Sequence, residues 1–203
     1  MKSLSRNWRR MFADRRGLAA TEFAFIMPVM LVMFFGTVEF SSGVAVDRKI
    51  TMVARTLADL TSQASTAVTD SYLQNAFTAS IAILTPYSAT PTNAQISEIY
   101  IDSTKVAKVQ WSRGATIGSG ATQATLAASS RSPGDNVTSM IPSSLLVAQS
   151  YLILSEVSYL YKPTVGYVMA KSGITLSDFS YSRPRYVTCV TYNNLPAGNC
   201  PTP

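Results

Sequence analysis

Residues 17–46 read Gly17-Leu18-Ala19-Ala20-Thr21-Glu22-Phe23-Ala24-Phe25-Ile26-Met27-Pro28-Val29-Met30-Leu31-Val32-Met33-Phe34-Phe35-Gly36-Thr37-Val38-Glu39-Phe40-Ser41-Ser42-Gly43-Val44-Ala45-Val46. From Phe23 to Val38 no side chain is charged, and from Leu18 to Val46 only Glu22 and Glu39 are. A bilayer core about 30 Å thick takes roughly 20 mainly apolar residues as a helix, so this run is long enough to span. Immediately before it, Lys2, Arg6, Arg9, Arg10, Arg15 and Arg16 stand against the single acid Asp14, a net +5 at one end of the apolar run. Lys/Arg excess beside a span stays cytoplasmic. The expectation is a single-pass, bitopic protein with its N-terminus in the cytoplasm and the rest of the chain exported.

That asymmetry also disposes of the overall charge. The chain of 203 residues carries +6, and outside the first 17 residues eleven basic side chains face ten acidic ones. The folded part therefore lacks the basic patch that a nucleic-acid partner needs. No nucleic acid is expected; the partner of the basic segment is the membrane surface. The two cysteines, Cys189 and Cys200, both fall on the exported side, where an oxidising compartment favours pairing. A disulfide between them is expected, closing a short loop.

Residues 1–17 can be read in two ways, as a short cytoplasmic tail or as a leader that is removed. A secretory signal has an apolar core of about 7–15 residues and a small-residue site at its far end. Here the apolar run is about twice that length and ends Gly43-Val44-Ala45-Val46-Asp47, a poor site. A lipoprotein signal is excluded because no cysteine lies near the junction. The remaining place is before the apolar run, after Gly17, where a flexible glycine lets a peptidase draw the bond out in extended form. Leu18 then becomes the first residue and Glu22 the fifth. A carboxylate at the start of a membrane helix is costly alone and calls for a partner. A helix N-terminus favours it, as does a free amine of its own or a neighbouring chain. The plainer alternative is that Glu22 sits at the headgroup level. Pro28 removes a backbone donor inside the run and is expected to kink the helix or free a carbonyl.

Beyond Asp47, Ile50, Val53, Ala54, Leu57 and Leu60 recur at helical spacing, so one helix is expected from about Ala19 to about Ala64, its second half amphipathic. A second helix starts near Asp70, taken as its N-cap, and Pro86 stops it. Runs at Ile96–Asp102, Val106–Trp111, Tyr151–Lys162, 174–182 and Tyr186–Tyr192 read as strands. In Tyr151–Lys162 one face carries Tyr151, Ile153, Ser155, Val157, Tyr159 and Tyr161; Glu156, on the other, is a rim charge or a paired acid. The expected fold class is α+β: a long N-terminal helix, a short second helix and a small antiparallel sheet. The expected division is a basic leader at 1–17, a transmembrane helix at 18–46, amphipathic helices at 47–85, and a β-rich domain at 86–203. Residues 112–144, rich in Gly, Ser, Thr and Ala, read as a long exposed excursion.

No enzyme constellation is present. There is no histidine for acid–base work or a triad, no phosphate loop and no cysteine or histidine pair at zinc spacing. No metal, no cofactor and no catalysis are expected.

The layout resembles the TadE-like family of minor pseudopilins in the Flp (Tad) pilus system. The resemblance rests on Arg16-Gly17-Leu18-Ala19-Ala20-Thr21-Glu22-Phe23-Ala24-Phe25, then Pro28, then Val38-Glu39-Phe40. It extends loosely to Glu156-Val157-Ser158-Tyr159 with Pro163 and to Arg183-Pro184-Arg185. Two features stand apart: Leu is the first mature residue, and these motifs do not separate TadE, TadF and short TadG-type members; the large von Willebrand-type domain of full TadG proteins does not fit in this length. The resemblance implies processing by a prepilin peptidase between Gly17 and Leu18 on the cytoplasmic side. It also implies partnership with other pilus or pseudopilus subunits and the inner-membrane assembly platform, with Glu22 as the assembly carboxylate. Two other readings stand beside it. One is an uncleaved bitopic module whose exported domain recognises a ligand; the other, remote, is a membrane-anchored enzyme.

Overall fold

A computed structural model describes residues 17–65, 67–118, 120–163 and 172–192. The basic leader up to Arg16, and Cys200 with the rest of the C-terminal tail, lie outside the described residues. Two compact units divide the chain, Met1–Ser42 with Pro163–Lys171, and Gly43–Lys162 with Ser172–Pro203.

Helix α1 runs from Leu18 to Ser62 over 45 residues. In the first unit its apolar side chains are exposed, Phe25 to 81% and Met33 to 68%. In the second unit the burial is periodic: Val46, Ile50, Val53, Ala54, Leu57 and Ala58 are buried, while Met52 and Arg55 face out. This is the apolar stripe that the helical spacing predicts. Thr61 and Ser62 end the helix, both turning their hydroxyls back onto its own carbonyls, of Leu57 and Asp59.

Helix α2 spans Asp70–Ile81. Its N-cap is Thr69, whose hydroxyl accepts from Tyr72 N at 3.2 Å. Asp70, expected in that role, is instead the first helical residue, where an acid still meets the positive end of the helix. A 3₁₀ turn at Ala82–Leu84 follows, and Lys49 Nζ donates to the carbonyls of Ile83 and Thr85 at 2.7 Å each. A cation thus sits where helix carbonyls run out of partners.

Five antiparallel strands form one sheet, β1 Thr92–Ile101, β2 Ala107–Thr116, β3 Thr125–Ala127, β4 Ser150–Tyr161 and β5 Ile174–Ser182, in the order β3-β2-β1-β4-β5. The β1–β2 hairpin is longer than its apolar runs suggest, because β1 begins at Thr92 and β2 continues to Thr116. Its turn is held by Asp102 Oδ1, which accepts from the amides of Thr104 and Val106. A bulge lies between Glu98 and Ile99.

The sheet has two different faces. On the inner face Ala94, Ile96, Trp111, Ala115, Ile153, Val157, Tyr159 and Tyr161 join the α1 stripe and Leu73, Phe77 and Ile81 of α2 in one core. Ser155 Oγ donates across it to the carbonyl of Ala54. On the outer face Ile99, Ile101, Val109, Leu152 and Leu154 are covered by Val137 and Ile141. The stretch expected as an exposed excursion is therefore partly strand, at 112–116 and Thr125–Ala127, and partly a lid. The expected strand at Tyr186–Tyr192 is absent. Those residues form bends, with one parallel bridge between Val68 and Tyr192, because their amides and carbonyls pair with side chains and with the turn before α2.

Candidate functional site

The first candidate is the start of α1. An 18-residue window within it has a mean hydropathy of 2.1 and no buried residue, so this helix is long and apolar enough to cross a membrane. Gly17 lies directly before it, with nothing within 4 Å of where a side chain would begin. Leu18 is 56% exposed, and Glu22 is exposed one turn further on. At i, i+4 spacing the Glu22 carboxylate and the backbone nitrogen of Leu18 lie on the same helix face. Thr21 Oγ1 donates to the Leu18 carbonyl at 2.8 Å and Thr37 Oγ1 to Met33 at 2.8 Å, so the hydroxyls of this stretch are satisfied within the helix. That is what a helix in lipid requires. Helix α1 continues through Pro28; lacking an N–H, Pro28 leaves the Ala24 carbonyl without its usual donor. Glu39 differs from its neighbours in being buried, 3% exposed, and it is partnered.

A second cluster, on the inner face of the sheet, was not expected. Glu98 is fully buried. Its Oε1 accepts from Val190 N at 2.6 Å and its Oε2 from Trp111 Nε1 at 3.0 Å, with Cys189 Sγ 3.4 Å away. Trp111 Nε1 also reaches the Val190 carbonyl at 2.6 Å. Burial pushes the Glu98 carboxyl up to about 8, against the opposing pull of the Val190 and Trp111 donors. Beside it Trp111 stacks on Tyr192 at 5.6 Å, and the Arg113 guanidinium lies 5.0 Å from the Tyr192 ring. The Tyr192 hydroxyl accepts from Arg113 Nε at 2.8 Å and donates to Asp70. The alternation Ala94, Ile96, Glu98, Tyr100 in β1 places a carboxylate on the apolar face, and that pattern was the available signal. Among the described residues there is no free cysteine; the expected partner of Cys189, Cys200, lies outside them.

Glu156 proves to be a paired acid. Arg131 Nη2 and Nε donate to its two oxygens at 2.5 Å each, and Gln95 Nε2 adds a bond of 2.7 Å. The bidentate fork is the geometry in which arginine binds a carboxylate most tightly. Arg131 comes from the lid, so the pair ties lid to sheet. Among the described residues no three His, Cys, Asp or Glu side chains are grouped to hold a metal ion.

No curated protein and no solved structure matches the chain. Residues 17–59 match the family described as TadE-like protein. The match begins at the glycine before α1 and ends three residues short of the helix terminus, so it covers the apolar half and the amphipathic half and stops before the sheet. The likeness to TadE-like proteins is therefore carried by the α1 segment, residues 17–59.

Proposed function

We propose that this chain is a minor pseudopilin of a Flp/Tad-type adhesive pilus, an association that the TadE-like segment supports. A prepilin peptidase cleaves between Gly17 and Leu18 at the cytoplasmic face. The product is held in the inner membrane by the apolar half of α1, with the sheet domain in the periplasm. The observation that carries this reading is the register: helix α1 begins on the residue after Gly17, inside the matched segment, and its 18-residue apolar window has no buried residue. Glu22 meets a free amine, its own at Leu18 or that of a neighbouring subunit, and this pairing aligns subunits in the membrane. Pro28 gives the helix its kink. Cys189 and Cys200 pair in the oxidising compartment and close the C-terminal tail on the sheet domain. The work of the chain is structural, through helix packing with other pilus subunits and the assembly platform.

The test is the N-terminal residue of the protein recovered from membranes, read by intact mass. The expected chain begins at Leu18, with or without a methyl group on its amine, and Gly17→Leu accumulates as the full-length precursor. A chain that begins at Met1 in cells carrying the peptidase overturns the proposal. The protein is then an uncleaved anchor whose function lies in its sheet domain.

A further inference from the structure

Below the lid, the outer face of the sheet is left open as a cleft of about 470 Å³. That is within the range of small-molecule sites, roughly 300–1,000 Å³. The strand register sets its floor. Asn93 of β1 stands opposite Ser158 of β4, and Ser158 opposite Ser177 of β5, so three short polar side chains cross it in one row. In the next row Gly114 of β2, Gln95, Glu156 and Phe179 follow one another across the four strands. Phe179 is 54% exposed and forms one wall. The opposite wall is the backbone at Ala127 and Ala128. It can approach only because residue 114 is glycine: a Cβ there would lie 2.6 Å from the Ala128 carbonyl oxygen.

The chemistry of the cleft is neutral. Glu156 is spent on Arg131 and Gln95, and Gln95 Oε1 is spent on Ser129 and on both donors of Ser130. Asp178 turns its carboxylate to Thr51 and to the amide of Phe179. Among the described residues that line the cleft this leaves no unengaged charge to hold an anion or a metal ion, and an amide with two hydroxyls is too polar a floor for a purely apolar ligand. What remains is a set of uncharged donors and acceptors beside an exposed aromatic plate.

We infer that this cleft, framed by Asn93, Ser158, Ser177 and Phe179, is a binding site for a neutral saccharide. A sugar ring presents hydroxyls at its edge, matched by the amide and serine hydroxyls. It presents a C–H face that packs on an aromatic ring, which contributes both area and geometric preference. The inference rests on the sheet domain alone and is independent of processing at Gly17.

The experiment is saturation-transfer NMR on the full chain in a zwitterionic detergent without a sugar headgroup. The probes are cellobiose, maltose and chitobiose at millimolar concentration, with glucuronic acid as the anionic comparison. The expected result is transfer to the ring C–H protons of at least one of the three, and none to glucuronic acid. Phe179→Ala, a substitution at an exposed side chain, is expected to weaken that binding about tenfold, the scale of one aromatic contact. Asn93→Ala is expected to weaken it as well, and each variant should melt within a few degrees of the parent. Absence of transfer to all three disaccharides, transfer that survives Phe179→Ala undiminished, or preference for glucuronic acid would each overturn the inference.

Discussion

Two glutamates show how differently one residue type behaves in this chain. Glu22 is exposed on a helix long and apolar enough to cross a membrane, and in the proposed function its partner lies outside the fold. Glu22→Ala is therefore expected to leave cleavage after Gly17 intact and to lower the yield of assembled pili about tenfold or more, a loss of about 1.4 kcal/mol. Intact mass and sheared-pilus quantification read the two effects separately. Full piliation by the variant would remove the assembly role. Glu98 is fully buried, and its partners belong to the fold. Its carboxyl is raised from 4.5 to about 8. Below the lower value both folded and unfolded states hold the proton, and above the higher value neither does. Between the two the unfolded chain releases a proton that the folded chain keeps, so stability falls as pH rises across that window. The melting temperature is expected to drop between pH 5 and pH 8, and Glu98→Gln, which cannot ionise, should flatten that slope. An equal slope in the variant would show that another group carries the dependence. Glu22 was legible because its neighbours in sequence announce it. Glu98 was hidden because its partners, Trp111 and Val190, lie 13 and 92 residues away.

At the scale of elements, α1 changes pattern along its length. From Phe23 to Val38 it carries no charge and its apolar side chains are exposed, while further on burial is confined to the stripe Val46, Ile50, Val53, Ala54, Leu57, the pattern of a helix packed on a protein partner along one face. Leu57→Ala, at a fully buried position, is expected to cost about 2–5 kcal/mol. Met52→Ala, at a position 54% exposed, should stay within about 0.5 kcal/mol. Chemical denaturation in micelles measures both, and equal effects would mean that the stripe does not pack on the sheet. This helix could be read almost to the residue, since 3.6-residue periodicity is a local signal. So could β4 and β5, whose bounds, Ser150–Tyr161 and Ile174–Ser182, lie within a residue of the expected runs, although Tyr151–Ser155 is buried on both faces. The excursion could not, because Val137 and Ile141 are single apolar residues in a Gly/Ser/Thr-rich stretch. Only the apolar outer patch of Ile99, Leu152 and Leu154 gives them something to cover. The outer-face cleft was illegible for a related reason: it exists by register, which brings Asn93, Ser158 and Ser177 together from three strands.

At the scale of the sheet domain, the segment after β5 adds ties between both helices and the β1–β2 hairpin. The Arg185 amide donates to the Ser62 carbonyl at 2.9 Å and its guanidinium pairs with Asp59, reaching α1. Val190 meets Glu98 of β1 through its amide and Trp111 of β2 through its carbonyl. Thr191 accepts from the Val68 amide at 2.8 Å, and Tyr192 reaches Asp70 at the start of α2. These contacts fasten both helices and the two central strands of the hairpin, although the segment has no regular structure of its own. Its removal would take the Val190 amide from Glu98 Oε1, at about 1–3 kcal/mol for a buried acceptor left unpaired, while Trp111 Nε1 keeps its bond to Glu98 Oε2. It would also uncover the fully buried Trp111 ring. A chain ending at Ser182 is therefore expected to be cut by trypsin at Arg113 under conditions in which the full chain resists, and its tryptophan emission should shift to the red. Tyr192→Phe isolates one strand of the argument. It keeps the stacking on Trp111 and loses the hydroxyl bonds to Asp70 and Arg113, so it should cost about 1–2 kcal/mol without new cleavage. If the shortened chain is as resistant to trypsin as the parent, the two layers hold together through the α1 stripe alone, and the bends after β5 are an appendage to the fold.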